Sequence, residues 1–307
     1  MRRAALGKHI LQHWQLYVFL SLPLVYLLVF QYYPMLGVQI AFKKYSAKLG
    51  IWGSPWVGFR YFEKFFQSSM FSRVIGNTLS ISLYSLIASF PLPIVFALML
   101  NVMRSQRYKK FVQTITYMPH FISTVVLVGM LMQVFNPMVG LYGKLYSALF
   151  NGAMPRDPFS SPDVFPHLYV WSGIWQNFGW DSIIYVAALA AVSPELHEAA
   201  QMDGASRWQR VRHVDLPALL PTAIIMLILR TGSIMTIGFE KIFLMQTDLN
   251  LRASEVISTY VYKMSLKASI PDFSYSTAIG LFNSIVNLFI IFAVNAFARR
   301  VGDTSLW

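Results

Sequence analysis

The chain has 307 residues, of which 56% are hydrophobic and only 12% are charged, and its formal net charge is +12 at pH 7. A soluble domain carries about twice that share of charged residues. The apolar residues are gathered into runs of membrane-spanning length, so the sequence predicts one polytopic membrane domain over residues 1–307. No cysteine is present, which excludes disulfides, thiolate metal sites and cysteine nucleophiles. Basic residues in a membrane protein serve orientation and lipid headgroups first, so nucleic-acid binding is not expected.

Six apolar segments are predicted to cross the membrane, all as helices, because a backbone in lipid must satisfy its polar groups internally. The predicted fold class is therefore all-α, with its core over residues 75–297. Proline residues within spans two and three are expected to bend them, and two more at the start of span five are expected to shape its beginning. The predicted spans are 15–38, 75–103, 111–135, 167–192, 217–239 and 275–297, and the prolines are Pro91, Pro93, Pro119, Pro217 and Pro221.

Clusters of basic residues fall on one side of these spans. By the positive-inside rule that side is the cytoplasm, and both termini lie there. One loop argues against this orientation, because residues 43–74 carry a net charge of +5 on the predicted outer side. The clusters are Arg2, Arg3 and Lys8; Arg104, Arg107, Lys109 and Lys110; Arg207, Arg210 and Arg212; and Arg299 and Arg300.

Residues 193–213, between predicted spans four and five, carry the most specific motif. The string Glu198-Ala199-Ala200-Gln201-Met202-Asp203-Gly204 is followed, after nine residues, by Val214-Asp215-Leu216-Pro217. Ser193 is expected to cap a short helix, Pro194 to begin it, and Gly204 to end it in a left-handed conformation. One face of this helix is small and mostly apolar, which lets a partner's groove approach the backbone closely. The alternative is an ordinary interfacial amphipathic helix.

This string resembles the EAA loop of ABC-importer permeases, in which Glu-Ala-Ala, a later Gly and an Ile-x-Leu-Pro form the cytoplasmic docking element for an ATPase. Val214 stands where the family usually has Ile. The resemblance implies that the segment is a cytoplasmic coupling helix. The residues to which it assigns coupling to the ATPase are Glu198, Ala199, Ala200, Asp203, Gly204, Leu216 and Pro217.

Further strings resemble the maltose-type sugar permeases, in particular the branch of lipoprotein-associated polysaccharide importers. They are the aromatic outer loop from Trp52 to Phe62, Ser89-Phe90-Pro91-Leu92-Pro93, Tyr117-Met118-Pro119-His120-Phe121-Ile122-Ser123 and Ser305-Leu306-Trp307. The resemblance implies a multi-pass protein of a bacterial inner membrane that imports oligosaccharides. It implies as partners a second homologous permease, an extracytoplasmic sugar-binding protein and two ATPase subunits that hold the ATP and Mg. This chain itself is expected to bind no cofactor and no metal.

Three ionisable residues are predicted at membrane depth, namely His120, Asp181 and Arg230. Such residues normally face a cavity or a partner. The rise of an α-helix, about 1.5 Å per residue, places Asp181 and Arg230 about 10 Å apart in membrane depth. At that separation they would form an imperfect ion pair. A structural ion pair and a contact with substrate both remain open. Other candidates for a substrate pathway are Trp175, Asn177, Asn283 and Asn287, for which helix packing is the alternative.

Two other function classes fit parts of the sequence. One is a membrane-embedded enzyme acting on a lipid or glycan with Asp181 and His120 as acid and base, and the other is a secondary transporter that couples to an ion through Asp181. Neither class has a reason to place an EAA string in a cytoplasmic loop. The basic outer loop, Arg230 and His120 suggest an acidic cargo such as alginate, although anionic lipid explains the loop equally well.

Overall fold

The computed structural model describes residues 12–301, and these are mostly helical. Four of the described helices are long and apolar enough to cross a membrane, and two bent helix pairs bring the number up to six. Within the described range the extended structure is limited to one isolated bridge between Lys43 and Trp56. The predicted all-α class is confirmed. The N-terminal basic cluster of Arg2, Arg3 and Lys8 and the string at 305–307 lie outside the described residues.

Spans one and two run close to their predicted bounds. Span one extends over Trp14–Phe42, and its most apolar stretch has no buried residue within this chain. Span two extends over Ser69–Val102, and its helical pattern is interrupted at Phe90, directly before Pro91, as the prolines predict. Span one consists of the helices Trp14–Leu27, Leu28–Tyr32 (a π turn), Tyr33–Met35 and Leu36–Phe42 (3-10), and span two of Ser69–Ser89 and Pro91–Val102.

Span three, which is predicted over 111–135 with a bend at Pro119, is sharply broken near that proline. The segment Gln106–Phe121 is followed by Thr124–Val134 at an angle of 99°. Pro119 cannot donate a backbone hydrogen bond, and Ser123 caps the second helix by accepting from the Val126 backbone N–H at 3.4 Å. The hydropathy of the segment predicts a membrane crossing, but the break is set by these two residues. The pieces are Gln106–Tyr117, Met118–Phe121 (3-10) and Thr124–Val134.

Span four occupies Phe165–Ala190 and then turns by 71° into the short helix Pro194–Met202, which we call the coupling helix. Span four packs closely against the first half of span three. A Cβ added to Gly179 would lie 2.2 Å from the backbone oxygen of Thr116, so only glycine allows this approach. The two helices within span four are Phe165–Asp181 and Ile183–Ala190.

Span five is displaced along the chain from the predicted 217–239. It begins at Arg207 and ends at Thr231. Residues 232–238 are apolar enough for hydropathy to predict that the span continues, but they are not α-helical. Asn287 instead accepts from the Met235 backbone N–H at 3.0 Å and donates to Thr236 Oγ1 at 2.9 Å. The helices of span five are Arg207–Arg210, Val211–Asp215 (a π turn) and Leu216–Thr231, and span six is one helix, Phe273–Val301.

Contacts divide the described chain into two compact units, and the single domain over residues 1–307 stays a prediction. The first unit comprises the residues up to Gln67 with Met264–Leu281, and the second comprises Ser68–Lys263 with the residues from Phe282 on. The core of the second unit contains two apolar clusters built around Phe165 and Tyr185. The remaining short helices are Gly50–Gly53, Arg60–Phe66, Leu141–Leu149, Pro158–Ser160, Phe239–Met245, Leu251–Ser254, Ile257–Tyr262 and Lys263–Lys267.

The first unit accounts for part of the basic charge of residues 43–74. Lys43 is buried, donates to the backbone oxygen of Ile51 at 2.8 Å and lies 4.9 Å from the ring centroid of Trp56. Lys64 forms an ion pair of 3.0 Å with Asp272. Two of the basic side chains in this loop therefore have local partners. Their presence on the predicted outer side is explained by these contacts and does not argue against the positive-inside orientation.

Candidate functional site

The coupling helix has the two ends that the sequence predicts. At the first end, the Ser193 hydroxyl accepts from the Glu195 backbone N–H at 3.3 Å. At the second end, Gly204 has a φ of +77°. Its N–H donates to Gln201 O at 3.0 Å, and the Ala205 N–H donates to Ala200 O at 2.9 Å, which is the Schellman pattern. The helix is therefore held at both ends by its own sequence.

Most side chains of the coupling helix are exposed in this chain. Leu196 is 55% exposed and Met202 is 89% exposed. Glu198 is also exposed, and its carboxylate has no hydrogen bond or ion pair within the part of the chain that the structure describes. An exposed carboxylate without a partner, beside large exposed apolar side chains, is typical of a surface that another protein covers.

A second turn continues the motif toward span five. Ser206 and Gln209 form a reciprocal capping box at the start of the helix Arg207–Arg210. Pro217 has no N–H to donate to the preceding turn, and a π turn over Val211–Asp215 lies directly before the long helix of span five. That helix begins with Leu216 and Pro217. Pro217 thus lies at the first turn of the long helix, within span five rather than at its beginning, and Pro221 lies inside that helix.

Asp215 links this turn to two other elements. Its side chain is almost fully buried. Its Oδ1 atom accepts from Asn101 Nδ2 at 3.1 Å and lies 3.3 Å from His197 Nε2. Asn101 belongs to the end of span two and His197 to the coupling helix, so one carboxylate joins three elements. The sequence predictions assigned no role to Asp215 beyond its place in the motif. A carboxylate at the edge of an apolar run nevertheless indicates a side chain that needs a polar partner.

Two adjoining cavities lie between spans two, four and five. Their volumes are about 250 Å³ and about 270 Å³. Hydroxyl, amide and charged groups line them, which is the chemistry that binds sugar hydroxyls and carboxylates. The residues common to both are Ser85, Ser89, Tyr169 and Arg230, and the second cavity adds Gln176, Asn177, Asp181 and Lys241.

Asp181 and Arg230 form a direct ion pair, so the predicted separation of about 10 Å in depth is wrong. Arg230 Nη2 donates to Asp181 Oδ2 at 2.5 Å, and Nη1 donates to Ser89 Oγ at 3.1 Å. The depth arithmetic treated both spans as straight helices, whereas span four is interrupted after Asp181 and span five contains a π turn over Val211–Asp215. The pair also lines the second cavity, so a structural role and contact with a cargo are compatible.

Lys241 is a cavity residue that the sequence predictions missed. It lies on the helix Phe239–Met245, beyond span five, where hydropathy indicated only an outer loop. Its Nζ atom donates to the backbone oxygen of Tyr169 at 3.0 Å and lies 5.0 Å from the centroid of the Tyr169 ring. Burial lowers the pKa of Lys241 to about 8, because a low-dielectric environment disfavours the charged ammonium.

His120 joins the break in span three to span four. Its Nδ1 atom donates to Asn177 Oδ1 at 2.9 Å, and its ring stacks on Trp180 with centroids 4.4 Å apart. Asn177 donates in turn to the backbone oxygen of Gly173 at 3.0 Å. The described walls of the two cavities do not include His120. Of His120 and Asn177, only Asn177 lines the second cavity.

The other pathway candidates are placed differently. Trp175 is 46% exposed and is not among the described residues that line the two cavities. Asn287 holds the backbone after span five, as described above. The Oδ1 atom of Asn283 is buried and has no hydrogen-bond partner among residues 12–301. Their contact with a substrate stays a prediction.

The chain is similar to known transport proteins over nearly its whole length. Residues 89–303 match the family described as binding-protein-dependent transport system inner membrane component. Protein LplB of Bacillus subtilis (strain 168) is 42% identical over 292 residues, which cover 95% of this chain and 91% of that protein. The polygalacturonan/rhamnogalacturonan transport system permease protein YteP of the same organism is 38% identical over 306 residues, covering 100% of this chain and 94% of that protein.

Among solved structures, the chain is similar to a bacterial ABC transporter involved in the import of the acidic polysaccharide alginate. The TM-score is 0.88 at 39% identity, and the match covers 97% of this chain and 99% of that one. A bacterial alginate ABC transporter to which the chain is 38% identical has also been solved in complex with an alginate pentasaccharide-bound periplasmic protein. A permease of this kind works with a partner permease and separate ATPase subunits and is not itself an enzyme. The chain belongs to the family of binding-protein-dependent transport system inner membrane components and is a multi-pass permease subunit of an ABC transporter.

Proposed function

We propose that this chain and a second homologous permease form the membrane pathway of an ATP-driven importer of acidic oligosaccharides, such as oligomers of alginate. The orientation proposed with it places both termini and residues 193–213 in the cytoplasm and the cavity helix Phe239–Met245 toward the outer side. An extracytoplasmic binding protein delivers the cargo, and two ATPase subunits supply the energy. Membrane lipids surround the complex.

The observation that carries the acidic cargo is the charge of the paired cavities. The described lining contains two basic residues, Arg230 and Lys241, and one carboxylate, that of Asp181. Its net charge is therefore +1 when Lys241 is protonated. Serine hydroxyls and two amides beside them can bind sugar hydroxyls. A net positive lining raises the affinity for a uronate relative to a neutral sugar of the same size. The relatives that transport polygalacturonan or alginate support the same class of cargo.

The coupling helix is the proposed contact with the ATPase. Its exposed Glu198 is placed to accept charge-assisted hydrogen bonds from a partner. ATP-driven closure of the two ATPase subunits would move the helix, and Asp215 would carry the movement to spans two and five. The residues proposed to act in this element are Glu198, Ala199, Ala200, Asp203, Gly204, Leu216 and Pro217.

The two other function classes gain no support from the described residues. Asp181 is paired with Arg230, and His120 is bound to Asn177 and stacked on Trp180. An acid and base pair for hydrolysis would need both groups directed at one reacting bond. An ion-coupled carrier would need Asp181 free to take up its ion, which the arginine opposes.

The experiment uses the assembled complex in nanodiscs with its cognate binding protein. Uronate oligomers should stimulate ATP hydrolysis more than neutral oligomers of equal length. Arg230→Met and Lys241→Met should each reduce the difference, whereas Arg156→Met, which removes an exposed charge outside the cavities, should not. Equal stimulation by both sugar classes in the unaltered complex would refute the acidic cargo and leave the permease assignment intact.

A further inference from the structure

An apolar groove lies between the end of span two and the start of span five. Its volume is about 700 Å³. Several wall residues are open to the surroundings of the chain: Met99 is 58% exposed and Val95 is 50% exposed. The groove is separate from the two polar cavities and shares none of their described lining residues. Its aliphatic walls consist of Val95, Leu98, Met99, Val102, Met103, Val211 and Leu216.

The same groove is bordered by positive charge. Arg207 and Arg212 both line it and are both exposed. Neither guanidinium has a hydrogen bond or an ion pair within the described part of the chain. Trp208 lies beside them and is 73% exposed. An indole and unpaired arginines next to an apolar surface are typical of the level at which lipid headgroups meet the hydrocarbon.

We propose that this groove binds one anionic phospholipid of the cytoplasmic leaflet, with an acyl chain along the apolar walls and the phosphate on Arg207 and Arg212. Guanidinium groups bind phosphate oxygens through paired, charge-assisted hydrogen bonds. Basic pockets between membrane helices on the cytoplasmic side are suited to anionic headgroups. The charge complementarity and the position at the end of two spans favour a lipid over a protein segment as the occupant.

The proposal depends on the cytoplasmic orientation of residues 193–213 but not on the cargo. Lipid binding can therefore fail while import of acidic sugars holds, and the reverse is also possible. The two outcomes are distinguishable because lipid retention is measured without any sugar.

Native mass spectrometry of the assembled complex tests the site, with palmitoyl-oleoyl phosphatidylglycerol as the probe and the matching phosphatidylcholine as its neutral counterpart. The double variant Arg207→Gln/Arg212→Gln should lose one retained phosphatidylglycerol per copy of this chain. The matched control Arg107→Gln/Lys110→Gln removes two exposed charges of the same predicted side outside the groove and should retain it. Neither change should alter the retention of phosphatidylcholine.

A second variant separates the groove from the charges. Met99→Trp fills the apolar part and keeps both arginines, and it should cause the same loss of one phosphatidylglycerol. Unchanged lipid retention in the arginine double variant overturns the proposal. Efficient cross-linking of Met99→Cys to a partner permease or ATPase in native membranes also overturns it, because the groove would then be filled by protein.

Discussion

His197 Nε2 on the coupling helix lies 3.3 Å from Oδ1 of buried Asp215 at the start of span five. The same oxygen accepts from Asn101 at the end of span two. Arg210 is a further charged group that acts on this carboxylate. A displacement of the coupling helix must therefore either move Asp215 or break this contact, which makes the pair a direct link between the proposed ATPase surface and the membrane helices.

A double-mutant cycle measures this link. Asp215→Ala leaves Asn101 and His197 without their acceptor and should destabilise the complex by about 1–3 kcal/mol, with reduced sugar-stimulated ATP hydrolysis. His197→Ala removes only one partner and should have a smaller effect. The two changes should be non-additive by more than about 0.5 kcal/mol. Additive effects on thermal stability and on stimulated ATP hydrolysis would show that the two side chains act independently.

Gly204 can be tested against a glycine of similar geometry elsewhere. Gly204 and Gly152 have φ of +77° and +84°, and an added Cβ would meet no described atom within 4 Å at either site. Each substitution by alanine should therefore cost about 1 kcal/mol through backbone strain alone. Only Gly204→Ala should lower sugar-stimulated ATP hydrolysis, since it alters the end of the coupling helix. A similar loss in Gly152→Ala would mean that general destabilisation, not docking, is being measured.

The Asp181–Arg230 pair is expected to have both a structural and a selective role. Arg230→Met leaves the partly buried carboxylate without its partner and should destabilise the complex by up to about 3 kcal/mol. Adding Asp181→Asn should restore much of that stability and also the preference for uronates, because Lys241 then again leaves the described lining cationic by one charge. Thermal melting and ATPase stimulation of the single and double variants report the two roles. A double variant that regains stability but not the preference would contradict the net charge of the lining as the source of that preference.

Lys241 predicts a dependence of cargo selectivity on pH. Because burial lowers its pKa to about 8, the side chain is mostly charged at about pH 7 and mostly neutral at about pH 9, whereas uronate carboxylates stay ionised throughout. The preference for uronate over neutral oligomers should therefore decrease as the pH rises through the pKa of Lys241. Lys241→Arg should keep its preference at about pH 9, since arginine remains charged. A preference in the unaltered complex that does not change with pH would contradict a cargo role for Lys241.

Local sequence rules predicted the coupling helix well, because its ends depend on residues next to each other. Ser193, Pro194 and Gly204 determine a cap, a first turn and a left-handed end without help from the rest of the fold. Hydropathy likewise predicted six crossings, the number reached when each bent helix pair counts as one span. These features require only the order of the residues and the cost of exposing polar groups to lipid.

The features that the sequence predictions missed depend on tertiary contacts or on local backbone breaks. Pro119 predicts a bend in span three, but the cap at Ser123 and the end of span five at Asn287 involve partners that cannot be read from apolar runs. The Asp181–Arg230 contact depends on how spans four and five pack, and Lys241 lies on a separate helix that begins after residues 232–238 leave span five. Helix breaks of this kind decide which polar groups meet, so hydropathy alone could not assign the cavity.

Uptake into proteoliposomes tests the central claim most directly. The complex of this chain, its partner permease and the ATPase subunits is reconstituted with the binding protein on its outer side and ATP on its cytoplasmic side, and accumulation of a labelled uronate oligomer is measured. We expect accumulation that requires both ATP and the binding protein and that exceeds accumulation of a neutral oligomer of equal length. Accumulation driven by an ion gradient without ATP, or none under any condition with uronate, would contradict the account.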